Sequence, residues 1–219
     1  MKLWTIKEIE ATKTYEVTLE IAGPLALFNR PDAGSTPVSY PVPTWSACKA
    51  FFEAIARMKG AYVSPTKVAI CTPIRFEHYV TNYGGPLRKS GHIKNNDNYQ
   101  LKAIVLVDVC YKIWGTVYQF EPNLDGINTA HALQATIQRR QKNGGTLHTP
   151  CLGWKEFAPS YFGPLREETA VDSSVNLIIP SLLHSVFDKP KMGKRVPYFH
   201  QNVEIRDGIL EYPERPYAQ

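Results

Sequence analysis

The sequence predicts an α+β fold, a ferredoxin-like (RRM-like) βαββαβ domain with a long loop inserted at its middle and a small β appendage at its C-terminal end. Three observations predict it. Val17, Leu19 and Ile21 alternate with Thr18 and Glu20, the period of a half-buried strand. Ala47, Cys48, Phe51, Phe52 and Ile55 then recur at helical spacing, as Leu133 and Ile137 do further on. Strand–helix–strand followed by strand–helix–strand is the split unit of a ferredoxin-like sheet.

The first strand is expected over Tyr15 to Ala22, ended by Gly23-Pro24, because proline cannot donate to a ladder. A proline-rich loop leads to Thr44, placed as the N-cap of a helix running to about Lys59. A strand is expected from Lys67 to about Phe76 and another from Gln100 to Val109, which can run on through Tyr111 to Phe120. A helix follows from Thr129 to Asn143, stopped by Gly144-Gly145. Glu77 to Tyr99 is a long connection, and long connections in compact domains are usually functional or disordered. From Ser174 short extended runs take over. Arg206-Asp207-Gly208-Ile209 has the composition of a tight hairpin turn, and Pro213 and Pro216 mark the end of order. We expect residues 1–160 to form the main domain, with its insertion at about 77–99, and residues 161–219 the appendage.

The composition is globular rather than disordered, with 43% apolar and 21% charged residues in 219. A formal net charge of +5 leans toward polyanions, but its placement matters more than its sum. Four cysteines with no Cys-x-x-Cys spacing fit free thiols in a reducing cytoplasm, with Cys48, Cys71 and Cys110 buried. No zinc-ligand spacing, secretion signal or membrane-length apolar run is present, so neither a metal nor another cofactor nor a membrane is expected. His148, His184 and His200 are widely spaced, and Glu167-Glu168 reads as a solvated turn. No nucleophile elbow or phosphate-cradling glycine loop occurs.

Two blocks of cations stand out. The segment from His78 to Asn96 has no acidic residue and holds Arg88, Lys89, His92 and Lys94, with Tyr79, Tyr83 and Tyr99 around it. Clustered cations bind phosphates by counterion release, and tyrosines offer stacking faces to bases. The competing account is a solvated loop with tyrosines buttressing its base. Arg139, Arg140 and Lys142 crowd the last turn of the second helix, which also suits the helix dipole without any partner.

Two motifs carry a resemblance. The first runs from Gly23-Pro24-Leu25 through Asn29-Arg30-Pro31 to Ser39-Tyr40-Pro41-Val42-Pro43-Thr44-Trp45. The second is Pro150-Cys151-Leu152-Gly153-Trp154-Lys155-Glu156-Phe157, following the Arg139-Arg140 helix. Their order and spacing over about residues 15 to 160 resemble the CRISPR-associated protein family five, in its I-C (Dvulg) branch. There the second block is a Pro-x-Leu-Gly-Cys-Arg-Glu-Phe-like run, so Trp154 replaces the cysteine and Lys155 the arginine.

The resemblance implies an RNA-binding subunit of a type I Cascade complex, with guide RNA, the backbone and large subunits and, through the complex, target DNA as partners. It implies that the insertion projects as a thumb against the guide RNA. The RNA-contacting candidates are Arg30, Tyr40, Trp45, Lys49, Tyr83, Arg88, Lys89, Lys94, Arg139, Arg140 and Lys142. The branch also cleaves CRISPR transcripts with a Tyr, Lys and His set. Counting from Glu53 puts Ala56 at the tyrosine position, and counting back from Gly144-Gly145 puts Ala132 and Leu133 at the Lys-His pair. A shifted register offers His131 as histidine with Ala130 at the lysine. The set is incomplete either way, so no catalytic residue is expected beyond His131 as a candidate. Three functions remain: a non-catalytic subunit gripping the 5′ handle of guide RNA, an endoribonuclease using His131 with a tyrosine such as Tyr40 and a nearby lysine, or a plain single-stranded RNA-binding module. The last needs paired aromatics on the sheet, for which Tyr111 with Trp114 or Tyr118 is the partial set.

Overall fold

The computed structural model describes residues 14–83, 90–95, 99–119, 128–186 and 197–213. The chain forms β1 (Tyr15–Ala26), α1 (Trp45–Ile55), β2 (Ala61–Ile70), β3 (Phe76–Tyr83), a short α2 (Ser90–Lys94), β4 (Tyr99–Gln119) and α3 (Thr129–Lys142). Four further strands follow: β5 (Tyr161–Gly163), β6 (Leu177–Ser185), β7 (Tyr198–Arg206) and β8 (Ile209–Glu211). The architecture is α+β, built on an eight-stranded sheet of order β5-β1-β4-β2-β8-β7-β6, with β3 pairing to β4. The strand pairs are antiparallel.

Alternation sorts the sheet into two faces. Val17, Leu19 and Ile21 of β1, Ile113 and Val117 of β4 and Val63 of β2 are buried on one. Against this set pack Cys48, Phe51, Phe52 and Ile55 of α1 and Leu133 and Ile137 of α3. Thr44 caps α1, its hydroxyl accepting from the Ala47 amide at 3.2 Å, and Asn128 caps α3 in the same way through His131 N at 2.9 Å.

Several boundaries differ from expectation, each for a local reason. β1 does not stop at Gly23-Pro24. The ladder to β4 skips Pro24, which has no N–H to give, and resumes at Leu25 opposite Val107, while Asp108 takes a φ of 50°. β2 starts at Ala61, ahead of Pro65, because the register shift between Pro65 and Lys67 accommodates the proline. α1 ends at Ile55, since Ala56 is already extended with φ −153°.

The expected loop over 77–99 is in large part a hairpin: β3 takes over from β2 along β4, pairing from Phe76↔Leu106 to Tyr83↔Tyr99. Asp207 and Gly208, with φ of 50° and 76°, form the expected two-residue turn between β7 and β8. Cys48 and Cys110 are buried, whereas Cys71, expected to be buried, is half-exposed where β2 ends. Among the described residues no helix is long and apolar enough to cross a membrane, and no metal-holding cluster occurs.

The β6–β7 hairpin docks on α1 through a histidine pair. His184 is stacked on Trp45 with ring centroids 4.3 Å apart, and His200 Nε2 lies 3.0 Å from His184 Nδ1. Both histidines are buried, and burial holds His200 below its ordinary pKa.

Candidate nucleic-acid interface

The first motif is spent largely on the core. Tyr40 is buried; its hydroxyl accepts from the Leu183 amide at 3.2 Å, and burial raises its pKa. Trp45 is buried too, its indole N–H donating to the Pro65 carbonyl at 3.1 Å. Neither ring presents an open stacking face. The cations beside them are more accessible. Lys49 Nζ sits 5.3 Å from the Trp45 ring and 5.4 Å from the Tyr62 ring. Arg30 lies 6.0 Å from the Tyr40 ring and is held in an exposed ion pair with Asp32 at 2.7 Å.

The two motifs meet. Leu27 N donates to the Leu152 carbonyl at 2.9 Å. Gly153 has a φ of 96°, and a Cβ there would stand 1.8 Å from the Leu27 carbonyl oxygen, so only glycine fits. Between α1 and the segment from His148 to Trp154 lies an open cavity of about 570 Å³, with Phe28, Phe51, Glu53, His148, Thr149 and Trp154 in its wall. In the sequence His148 reads as a lone histidine. Its place directly after the glycine turn is the one signal that singles it out.

The end of α3 divides its cations. Arg139 and Lys142 are exposed, but Arg140 turns inward, its guanidinium donating to the Ile55 carbonyl at 2.6 Å. The Leu147 and His148 amides both donate to the Ala54 carbonyl, at 2.7 and 3.1 Å. The end of α1 is therefore satisfied by α3 and the turn that follows it. The three cations do not form one outward face.

The β3–β4 hairpin stands beside this region. Tyr79 packs edge-on against Trp154 and Phe157, and its hydroxyl donates to Glu156 at 3.1 Å. Phe76 and Val80 are exposed, and Lys94 is exposed at the end of α2. Arg88, Lys89 and the side chain of Tyr83 lie outside the described residues.

The positions matching the ribonuclease set carry no functional groups. Ala56, Ala130 and Leu133 are buried, and Ala132 is half-buried. His131 is exposed at the start of α3, and its ring neighbour is Tyr15 at 5.6 Å rather than Tyr40. Asn128 Nδ2 donates to the Tyr15 hydroxyl at 2.8 Å while the Asn128 carbonyl oxygen caps His131, so one side chain ties the two together. Of the aromatics considered for the sheet, Tyr111 is buried beneath the helices. Trp114 and Tyr118 lie on the opposite face, where Lys67 Nζ is 4.6 Å from the Trp114 ring and Tyr118 stacks on Tyr62.

No family model matches the chain. A CRISPR pre-crRNA endoribonuclease Cas5d of Thermus thermophilus is 28% identical to it, over 92% of this chain and 93% of the relative. A protein of the same name from Mannheimia succiniciproducens is also 28% identical, over 90% of this chain and 94% of its own. A crystal structure of a CRISPR-associated protein shares the fold, with a TM-score of 0.67 and 22% identity over 91% of this chain and 92% of that one. The likeness to Cas5d along nine-tenths of the length, on a shared fold, agrees with the motifs: the chain is similar in sequence and fold to the CRISPR-associated protein family five.

Proposed function

We propose that the chain is a non-catalytic subunit of a type I CRISPR effector complex of the Cascade kind, which binds and caps the 5′ handle of guide RNA. The observation that carries this reading is the chemistry at the processing positions: Ala56, Ala130, Ala132 and Leu133 have no group to activate a ribose hydroxyl or protonate a leaving oxygen. RNA gripping is supported by the exposed Arg139 and Lys142, by Lys49 and Arg30, and by the cation-bearing connection of the β3–β4 hairpin, which we read as the thumb. Phosphate contacts from such cations position a strand without reading its bases. The strand order β5-β1-β4-β2, with α1 and α3 against it, supports a ferredoxin-like core whose last strand, β5, falls just past the expected boundary at residue 160, and β6–β8 are then the appendage. Partner subunits, target DNA reached through the complex and a cytoplasmic location follow from this reading.

A second reading has an observation of its own. Both named relatives are pre-crRNA endoribonucleases, and the exposed His131 ring, a group able to move a proton, lies 5.6 Å from the ring of the half-buried Tyr15. Incubating the purified chain with its cognate repeat RNA in EDTA separates the two. The first reading expects binding with no cut. Specific cleavage at the base of the repeat hairpin, lost in His131→Ala, would establish the second.

A further inference from the structure

Cys71 and Cys110 face each other where β2 ends. The β2–β4 register places Ile70 opposite Tyr111, so the next pair is Cys71 opposite Cys110, and the Cys71 amide donates to the Cys110 carbonyl at 2.9 Å. The reciprocal bond of this pair is not a backbone one, because the Cys110 amide donates to the Thr72 hydroxyl at 3.2 Å. Directly opposed residues in an antiparallel ladder hold their Cβ atoms about 4.5–5.5 Å apart. A disulfide needs about 3.5–4.5 Å, an adjustment within reach at a ladder's end.

The surroundings give the two thiols different roles. Cys71 is half-exposed and opens on a cavity of about 530 Å³ whose wall includes Pro24, Thr72, Asp108, Cys110 and Arg166. Cys110 is buried, its sulfur 3.7 Å from the Glu20 carboxylate. We propose that Cys71 and Cys110 are a peroxide-oxidisable dithiol that closes reversibly into a disulfide. The inference stands apart from the RNA-binding reading.

Cys71 is the attacking sulfur. The hydrogen bond from the Cys110 thiol, aided by the positive charge of Lys112, holds it below the ordinary thiol range despite burial, whereas that same bond, burial and Glu20 push Cys110 up. In the first step the Cys71 thiolate attacks a hydroperoxide, the O–O bond breaks, and the protonated leaving oxygen departs as alcohol or water, leaving Cys71 as sulfenic acid. In the second, the Cys110 sulfur attacks that sulfur, the S–O bond breaks, and the departing hydroxide takes the thiol proton as water. A small dithiol reverses the bond by exchange. Cys48 is buried, with its thiol pushed up to about 12 by desolvation, and takes no part.

The test exposes the folded chain to a mild excess of hydrogen peroxide at neutral pH. Free thiols are then alkylated, and peptides are mapped without reduction. The expected result is a Cys71–Cys110 linked peptide two hydrogens lighter than its parts, removed by dithiothreitol. Cys110→Ser should stop the sequence at a Cys71 sulfenic acid trapped by a 1,3-dione probe. Cys151→Ser should leave the linked peptide unchanged. Both thiols remaining alkylatable in the wild-type chain, or Cys110 linking to any other cysteine, would overturn the proposal.

Discussion

Glu20→Gln should be among the most damaging single substitutions in the sheet. The Glu20 side chain is fully buried at the centre of β1, on the face away from the helices. Its carboxylate accepts from the Arg166 amide at 2.7 Å, from the Arg166 guanidinium at 2.7 and 2.8 Å, and from the Thr169 hydroxyl at 2.8 Å. Burial alone would raise its pKa. The bonds from Arg166 and Thr169 outweigh that and hold it below the ordinary value of 4.5. Glutamine turns an amide NH₂ toward these donors and removes the charge facing a guanidinium that is 34% exposed. Breaking a buried pair costs about 3–5 kcal/mol, and the partly solvated arginine places this case near about 3 kcal/mol. At about 2–4 °C per kcal/mol for a chain of this size, Tm should fall by about 6–12 °C. Circular dichroism melts of both proteins at neutral pH test this. Because the folded pKa is depressed, the advantage of the native carboxylate is complete above the unfolded value and is lost as pH falls through the folded one. The gap in Tm should therefore persist to about pH 4.5 and close below it. A loss under about 2 °C at neutral pH, or a gap that widens on acidification, would refute the reasoning.

Arg140→Ala should lower stability by about 1 kcal/mol, because it orphans the Ile55 carbonyl at the end of α1. Arg139→Ala with Lys142→Ala should leave the melt unchanged and weaken guide-RNA binding, as filter binding can measure. Alanine at Arg88, Lys89 and Lys94 together should flatten the dependence of log affinity on log salt by about 0.7 for each phosphate no longer neutralised, whereas an unchanged slope would mark the connection as a bystander. The folded pKa of His200 is depressed by burial, so the unfolded chain binds more protons as pH falls through 6.5. Stability should drop between about pH 7 and pH 5, and His200→Gln should reduce that dependence in parallel melts.

What could be read from the sequence was whatever local periodicity encodes. Thr44 and the apolar rows of α1 and α3 announced both helices, and Asp207-Gly208 announced its turn. β3 was missed because its described side chains are mostly exposed, so no apolar alternation marks it. The fate of Tyr40 and Trp45 was hidden for a different reason. Their partners Leu183 and His184 lie about 140 residues downstream, on a hairpin whose docking no local pattern reveals. Arg140 likewise looked like its neighbours, and only the crossing of α3 over the end of α1 turns it inward. The family motifs succeeded because Leu27 and Gly153 must meet, a contact that permits only glycine at one of them.

The central claim is that this chain holds the 5′ handle of guide RNA. Its most direct test is a pair of binding isotherms in EDTA, one for guide RNA with its native 5′ handle and one for the same RNA with the handle scrambled at constant length and composition. The account predicts clearly tighter binding of the native handle, with both RNAs recovered intact. Equal affinity for the two, or recovery of the native RNA in pieces, would contradict it.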